Sequence, residues 1–229
     1  MSPLLRLLEN KVQIVSLLFL ATVYIFRILW ILRLEAARER TQPAGSKKEG
    51  IAYSLLNISM PWSMEVLRKK PGFYIQFLIF HLGVAAAIAA TFIIPYRPEF
   101  FRTKPVVLVF QIIIGAAFVV GLVRLRRRLR NPAVRLISTP DDYFSLVLMI
   151  LYFAAAVLAV PNRYPAAEWP LILFFGLTAF FLVYVPFSKI SHYLYYPFAR
   201  YVLGKTLGHR GVFPIKDAKK ETAFGPPER

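Results

Sequence analysis

The sequence contains no cysteine among its 229 residues. This excludes disulfides, zinc–thiolate sites, iron–sulfur ligation and covalent haem attachment within this chain. The long apolar runs carry no Asp or Glu at mid-depth, and the chain shows no internal repeat and no pair of broken helices. These absences argue against a transporter and against a proton pathway through the chain.

Apolar residues, by contrast, are abundant and concentrated. Hydrophobic residues make up 57% of the chain, well above the share in soluble domains. Each apolar block holds about 20 residues, the length that a membrane-spanning helix needs. The sequence therefore predicts an all-α membrane protein with five transmembrane helices. The predicted helices cover residues 12–32, 73–95, 106–123, 143–160 and 170–196, the last extended by an aromatic belt beyond its apolar part.

Positive charge lies mainly on one side of these helices. Segments 33–71, 124–142 and 189–229 hold 22 of the 29 Lys and Arg residues, and they share one side if five helices alternate. The positive-inside rule then places the N-terminus outside and the C-terminus in the cytoplasm. The same rule explains the net charge of +17, so we do not expect nucleic acid as a partner.

The chain divides into a membrane domain, residues 1–202, and a polar cytoplasmic tail, residues 203–229. The tail is rich in Gly, Pro and Lys, so we expect it to become ordered only against a partner. Thr139 and Pro140, followed by two aspartates, predict the N-cap of the fourth span. The first span is followed by basic residues and no small-residue cleavage site, which favours a retained helix over a cleaved signal peptide.

Only three histidines occur in the chain, and two lie in or near the predicted spans. His81 lies eight residues into the second span, roughly 12 Å from the side where that span begins. His192 lies near the end of the fifth span, toward the same side. Two such imidazoles can bind one haem iron from both faces. The alternative is that the two are unrelated structural residues. His209, in the tail, is expected to be solvated or to face a partner.

The surroundings of the two histidines offer further candidates. Lys69, Lys189 and Arg200 are predicted to neutralise haem propionates, with Lys70 also near. Small residues follow His81, and they would allow the close approach of a flat macrocycle, although they are equally typical of helix packing surfaces. They are Gly83, Ala85, Ala86, Ala87, Ala89 and Ala90.

Three stretches, within roughly residues 60–200, resemble a known family. They are "PFSKISH", "LRRRLRNPAVRLISTPDDYFSLVLMIL" and "MPWSMEVLRKKPGFYIQFLIFHLG". They are similar to the gamma subunit of respiratory nitrate reductase, and more closely to its relatives in the membrane redox complexes of sulfate reducers. That family has five helices with the N-terminus outside.

The resemblance implies a cytochrome b subunit in the cytoplasmic (inner) membrane of a bacterium or archaeon. Such a subunit exchanges electrons with quinone, for example menaquinone, and with an iron–sulfur subunit on the inner face, beside other membrane and periplasmic subunits. His81 matches the first ligand of the second helix and His192 the last ligand of the fifth, so they would hold one haem b. Lys189 takes the place of a basic residue of the family motif.

The chain departs from the family pattern at the second haem. Thr91 and Phe174 stand where the family has the other two histidines, so the outer haem, beside the family's quinol site, is not expected here. Quinone could react beside the remaining haem, another membrane subunit could handle it, or the haem could be a relic. The chain would then be a subunit of a quinone-linked oxidoreductase rather than an enzyme alone. The alternative is a haem-free anchor for the cytoplasmic iron–sulfur subunit.

Overall fold

A computed structural model describes residues 1–35, 39–60 and 69–215. Within these residues the chain is helical and contains no strand, which confirms the predicted all-α class. Contacts divide the chain into two compact units. The first combines Met1–Leu32 with Gly72–Ser191, and the second combines Arg33–Pro71 with His192–Arg229.

Among the described residues, five helices of the first unit are long and apolar enough to cross a membrane, so the chain is a multi-pass membrane protein by length and composition. The spans are α1 (Pro3–Arg33), α3 (Pro71–Tyr96), α4 (Lys104–Arg130), α6 (Pro140–Ala159) and the segment Trp169–Phe187, in which a 3₁₀ turn follows α7 (Trp169–Tyr184). Between α4 and α6 lies the short α5 (Pro132–Leu136). Several extend beyond the predicted bounds, because the apolar pattern marks the part suited to lipid while the helix continues into charged ends.

Helices α6 and α7 form the centre of this unit. In the fourth and fifth spans, half of the most apolar 18-residue stretch is buried within the protein, whereas in α1 only 6% of that stretch is buried. Aromatic side chains fill the space between them. Tyr152 of α6 stacks on Phe174 of α7 with ring centroids 5.4 Å apart, and Phe153, Phe174 and Phe175 are fully buried. Such rings contribute both buried area and favourable ring–ring geometry.

One face of α3 is built from small residues and packs closely on α4. Gly83, Ala87 and Ala90 are buried on this face, and a Cβ added at Gly83 would overlap the Cβ of Ala117. Small residues allow helix backbones to approach in this way within membranes, where no hydrophobic force drives helices together.

The N-terminus of α6 is fixed by the chemistry that the sequence predicts. Thr139 is the N-cap, Pro140 follows it, and the Asp142 carboxylate accepts a hydrogen bond from the Thr139 backbone N–H at 2.7 Å. This reciprocal capping box satisfies backbone groups that a helix start leaves without partners.

The predicted fifth helix, 170–196, is wrong in its second half. Helix α7 ends at Tyr184, two 3₁₀ turns follow at Val185–Phe187 and Lys189–Ser191, and a new helix begins at His192. Pro186 lacks the N–H that a continuing helix would need. The Ser188 hydroxyl then donates to the Val185 carbonyl and accepts the Ile190 N–H, which stabilises the turn.

The second unit is a helical pair, α2 (Lys47–Leu56) and α8 (His192–His209). The two helices run antiparallel and cross at glycines. A Cβ added at Gly50, Gly204 or Gly208 would collide with backbone atoms of the other helix. Gly204 and Gly208 are spaced four residues apart, the small-xxx-small arrangement of closely packed helices.

The prediction of a polar tail from residue 203 is therefore wrong up to residue 215. Helix α8 continues to His209, and Gly211 follows it with φ +70°, a left-handed conformation that ends helices. The Ala44 and Gly45 backbone N–H groups donate to the His209 carbonyl. Residues 216–229 of the predicted tail lie outside the described residues.

An ion pair closes the end of this unit. The Arg210 Nε donates to Glu39 at 2.9 Å, and this bond, with bonds from Thr41, lowers the pKa of Glu39 to about 2. Because the folded-state pKa is depressed, the pair stabilises the folded chain above the ordinary carboxyl range, and its contribution is lost as the pH falls from about 4.3 toward 2.

The glycine contact between α3 and α4 generates a test. We expect Gly83→Ala to destabilise the chain by about 1–3 kcal/mol, because the added methyl group overlaps Ala117 in a packed interface. Gly115→Ala in α4 is the matched control, since a Cβ there meets no atom within 4 Å. Thermal unfolding in detergent measures both. An equal effect of the two substitutions would contradict the packing argument.

Candidate functional site

His81 lies on the face of α3 opposite the small residues that contact α4. The side chain is exposed in an apolar helix, and its ring lies 4.1 Å from the ring of Phe77 and 6.2 Å from that of Phe80, measured between centroids. A polar, ionisable ring on the lipid-accessible side of a span is costly, so something must cover it in the membrane.

A backbone hydrogen bond fixes the orientation of this imidazole. The His81 Nδ1 lies 2.8 Å from the Phe77 carbonyl oxygen, one helical turn earlier. A carbonyl only accepts, so Nδ1 carries the proton and Nε2 carries the ring's lone pair. Metal-binding histidines commonly donate their other ring N–H to a backbone carbonyl in this way, which holds the ring and raises its basicity as a ligand.

The small residues after His81 are arranged differently from the prediction. Gly83 lies against Ala117 of α4, and Ala87 and Ala90 are buried on the same face of α3, so these three residues are packed against protein rather than open to a macrocycle. The helical period of 3.6 residues separates them from His81 by about half a turn. Ala85 is exposed on the His81 side of the helix and Ala89 is half-buried, so of the six small residues these two leave the surface beside the ring open.

His192 is the first residue of α8 in the second unit. The side chain is exposed, and its ring meets that of Tyr193 edge-on at 6.4 Å. The helix start places the imidazole directly after the two 3₁₀ turns that interrupt the fifth span.

The turns before His192 are held by two aspartates of the first unit. Asp141 accepts hydrogen bonds from the Tyr184 hydroxyl at 2.6 Å and from the Lys189 backbone N–H at 3.2 Å. Asp142 accepts from the Lys189 ammonium at 2.9 Å. These bonds fasten the end of α7 and the following turn to the first turn of α6.

Lys189, the propionate partner that the sequence favours, has a structural role in this network. Its Nζ donates to Asp142 at 2.9 Å and to the Thr139 hydroxyl at 2.8 Å, which occupies two of its three hydrogens. The same Asp142 carboxylate also pairs with Arg128 at 3.7 Å. Lys69 is exposed and adjoins residues 61–68, which lie outside the described chain.

Arg200 has the better geometry for a carboxylate. Its Nε donates to the Ser54 carbonyl at 2.8 Å, and its guanidinium lies 5.9 Å from the centre of the Tyr196 ring. Its Nη2 is buried, and within the described residues it has no hydrogen-bond partner. A buried N–H donor without an acceptor is unfavourable, and an anionic ligand would supply that acceptor.

His209 contradicts the expectation of a solvated residue. It is only 5% exposed, and its Nε2 lies 2.8 Å from the Thr41 carbonyl oxygen. Because the carbonyl accepts, Nε2 donates. The His209 ring is thus buried within the second unit, where it is bonded to the segment that precedes α2.

Thr91 and Phe174, which stand where the family has histidines, both contact Tyr152 of α6. The Thr91 hydroxyl donates to the Ala87 carbonyl and lies 3.2 Å from the Tyr152 hydroxyl. Phe174 is fully buried and stacks on the same tyrosine. An aromatic core fills this half of the bundle.

Sequence reasoning missed the carbonyl of Phe77 and the roles of Asp141 and Tyr184. The i,i+4 spacing of Phe77 and His81 could have indicated the first, because a helical histidine can reach the carbonyl one turn earlier. The second arises between residues more than 40 positions apart, which no local pattern reveals.

In the described part of the chain, no group of three or more His, Asp or Glu side chains could hold a metal ion. This statement does not concern sites with only two histidine ligands. Comparisons with protein-family models, with curated proteins and with solved structures found no match to the chain.

The Asp141 network predicts measurable coupling. We expect Asp141→Asn to destabilise the chain by about 1–3 kcal/mol, because an amide cannot accept from both Tyr184 and the Lys189 N–H as a carboxylate does. Tyr184→Phe should then cost less in a chain that already carries Asp141→Asn than in the wild-type chain. A double-mutant cycle on thermal unfolding measures this, and strictly additive effects would show that the two side chains act independently.

Proposed function

We propose that the chain is a membrane cytochrome b subunit of a respiratory redox complex, with one haem b bound by His81 and His192. The observation that carries the proposal is His81 itself. Its ring lies on the exposed side of an apolar span, and its Nδ1–H donates to the Phe77 carbonyl, so in the proposed site Nε2 would be the coordinating nitrogen. The geometry fits an axial ligand of haem iron.

When bound, haem supplies one-electron redox chemistry. The chain's residues set its surroundings. The Phe77 carbonyl orients His81, and the Asp141–Tyr184–Lys189 bonds fasten the turn that leads to His192. Arg200, with a buried N–H lacking a partner in the described residues, takes over from Lys189 as the preferred contact for a propionate.

The proposal includes one haem rather than two. Two further histidine ligands would be needed, and the only other histidine, His209, donates to a backbone carbonyl in the second unit. The aromatic core around Phe174 supports the same conclusion.

For the setting, we propose the cytoplasmic membrane of a bacterium or archaeon, with the N-terminus outside. The concentration of Lys and Arg in segments 33–71, 124–142 and 189–229 supports this orientation. The same basic face suits docking of an acidic surface on a cytoplasmic iron–sulfur subunit. Quinone, or another membrane subunit that handles it, is the proposed partner for electron exchange.

The second candidate is a haem-free anchor for that cytoplasmic subunit. The engagement of Lys189 by Asp142 favours it, since a basic side chain that the family motif places near haem serves a helix cap instead. The basic end of α4, which does not depend on haem, fits both functions.

A difference spectrum of the purified full-length chain, dithionite-reduced minus oxidised, tests the proposal together with a pyridine haemochrome count. We expect one b-type haem per chain. His81→Ala and His192→Ala should each reduce bound haem at least tenfold, because loss of one axial imidazole removes a ligand bond that the apolar site cannot replace.

His209→Gln is the matched control. Glutamine retains an N–H donor for the Thr41 carbonyl, and His209 is not a ligand in the proposed haem site, which uses His81 and His192. Full haem in either ligand variant would refute the assignment. A colourless wild-type chain would favour the anchor. Two haems would contradict the conclusion drawn from Thr91 and Phe174.

A further inference from the structure

A cavity of about 810 Å³ lies in the first unit, where α1 begins and α3 ends. Its apolar lining includes Leu5, Ile94, Phe101 and Leu171, each of which is at most 4% exposed. The volume falls within the usual range for small-molecule sites. None of the site residues considered above contributes to it.

The charged side chains in this cavity are Arg6, Glu9 and Arg102. Among the residues that the structure describes, none of the three has a hydrogen bond or ion pair through its side chain. Two guanidinium groups and one carboxylate therefore line the same space, each available to a ligand. Guanidinium groups bind phosphate oxygens with paired N–H donors.

A local distortion of α1 occurs at the same place. Residues Leu7–Val12 form a π-helical turn, and this turn contains Glu9 and Asn10, both of which line the cavity. Such turns are rare and are frequent at functional sites, because the extra residue per turn redirects side chains. The distortion is independent of the charge pattern.

We propose that this cavity binds the headgroup of a phospholipid that carries both a phosphate and a primary ammonium. Arg6 and Arg102 contact the phosphate, Glu9 contacts the ammonium, and the apolar lining contacts the first acyl carbons. The position supports a lipid, since the charged stretch 6–11 directly precedes the apolar run of α1 and so lies at a membrane interface. An anionic headgroup without an amine would bring no cation of its own to Glu9.

Native mass spectrometry of the delipidated full-length chain in detergent tests this proposal. The probes are phosphatidylethanolamine, phosphatidylglycerol with the same acyl chains, and inorganic phosphate. We expect one phosphatidylethanolamine to bind about tenfold more tightly than phosphatidylglycerol, given the usual strength of hydrogen bonds to charged groups. Inorganic phosphate should not compete at equal concentration.

The variants separate the two contacts. Arg6→Gln with Arg102→Gln should weaken both lipids at least tenfold, whereas Glu9→Gln should abolish only the preference for the ethanolamine lipid. Arg97→Gln is the control, because Arg97 lies in the neighbouring turn, is 80% exposed, pairs with Glu99 at 3.7 Å and does not line the cavity.

Equal binding of the two wild-type lipids would overturn the assignment of Glu9. Unchanged lipid binding in the double arginine variant would overturn the proposed site. A quinone retained in the cavity in place of lipid would also overturn it. If the glutamine variants fail to fold, Arg6→Lys with Arg102→Lys retains the charge without the paired donors and should still weaken binding. None of these outcomes depends on haem.

Discussion

Asp141 and Asp142 connect three parts of the chain by hydrogen bonds: the start of α6, the end of α7 and the turn at Lys189. One caps α6, the other accepts bonds from the end of α7, and both hold the turn at Lys189. In a bilayer every backbone polar group must find a partner within the protein. The break after Tyr184 creates such groups, so the aspartates and the Ser188 hydroxyl make the interruption of the fifth span possible.

That interruption determines where a histidine can stand. A continuous helix through residue 196 would place His192 on a face set by the period of α7. The turn instead gives α8 a start of its own, with the imidazole at its first position. His81 is held differently, with its Nδ1–H donating to the Phe77 carbonyl within a regular helix.

The features predictable from the sequence are those encoded locally. Five apolar runs of the right length predict five spans, and Thr139 with Pro140 and Asp142 predicts a cap, because hydrophobic length and capping chemistry act over a few residues. The pairing of α2 with α8 could not be predicted, since Gly50 and Gly204 are distant in the sequence and glycine carries no amphipathic pattern. The aromatic residues after Phe187 led to the prediction of a continuous fifth helix, although Pro186 is a residue that interrupts helices.

The same distinction applies to the basic residues that were predicted to contact haem propionates. A basic residue near a predicted ligand was expected to neutralise propionates, and charge alone could not separate Lys189 from Arg200. Partners decide between them. Lys189 donates to the Asp142 carboxylate, which also lies 3.7 Å from Arg128, whereas Arg200 donates to a neutral carbonyl and its own Nη2 is buried without a hydrogen-bond partner in the described residues. An anion therefore gains more at Arg200, since its charge there is not already neutralised.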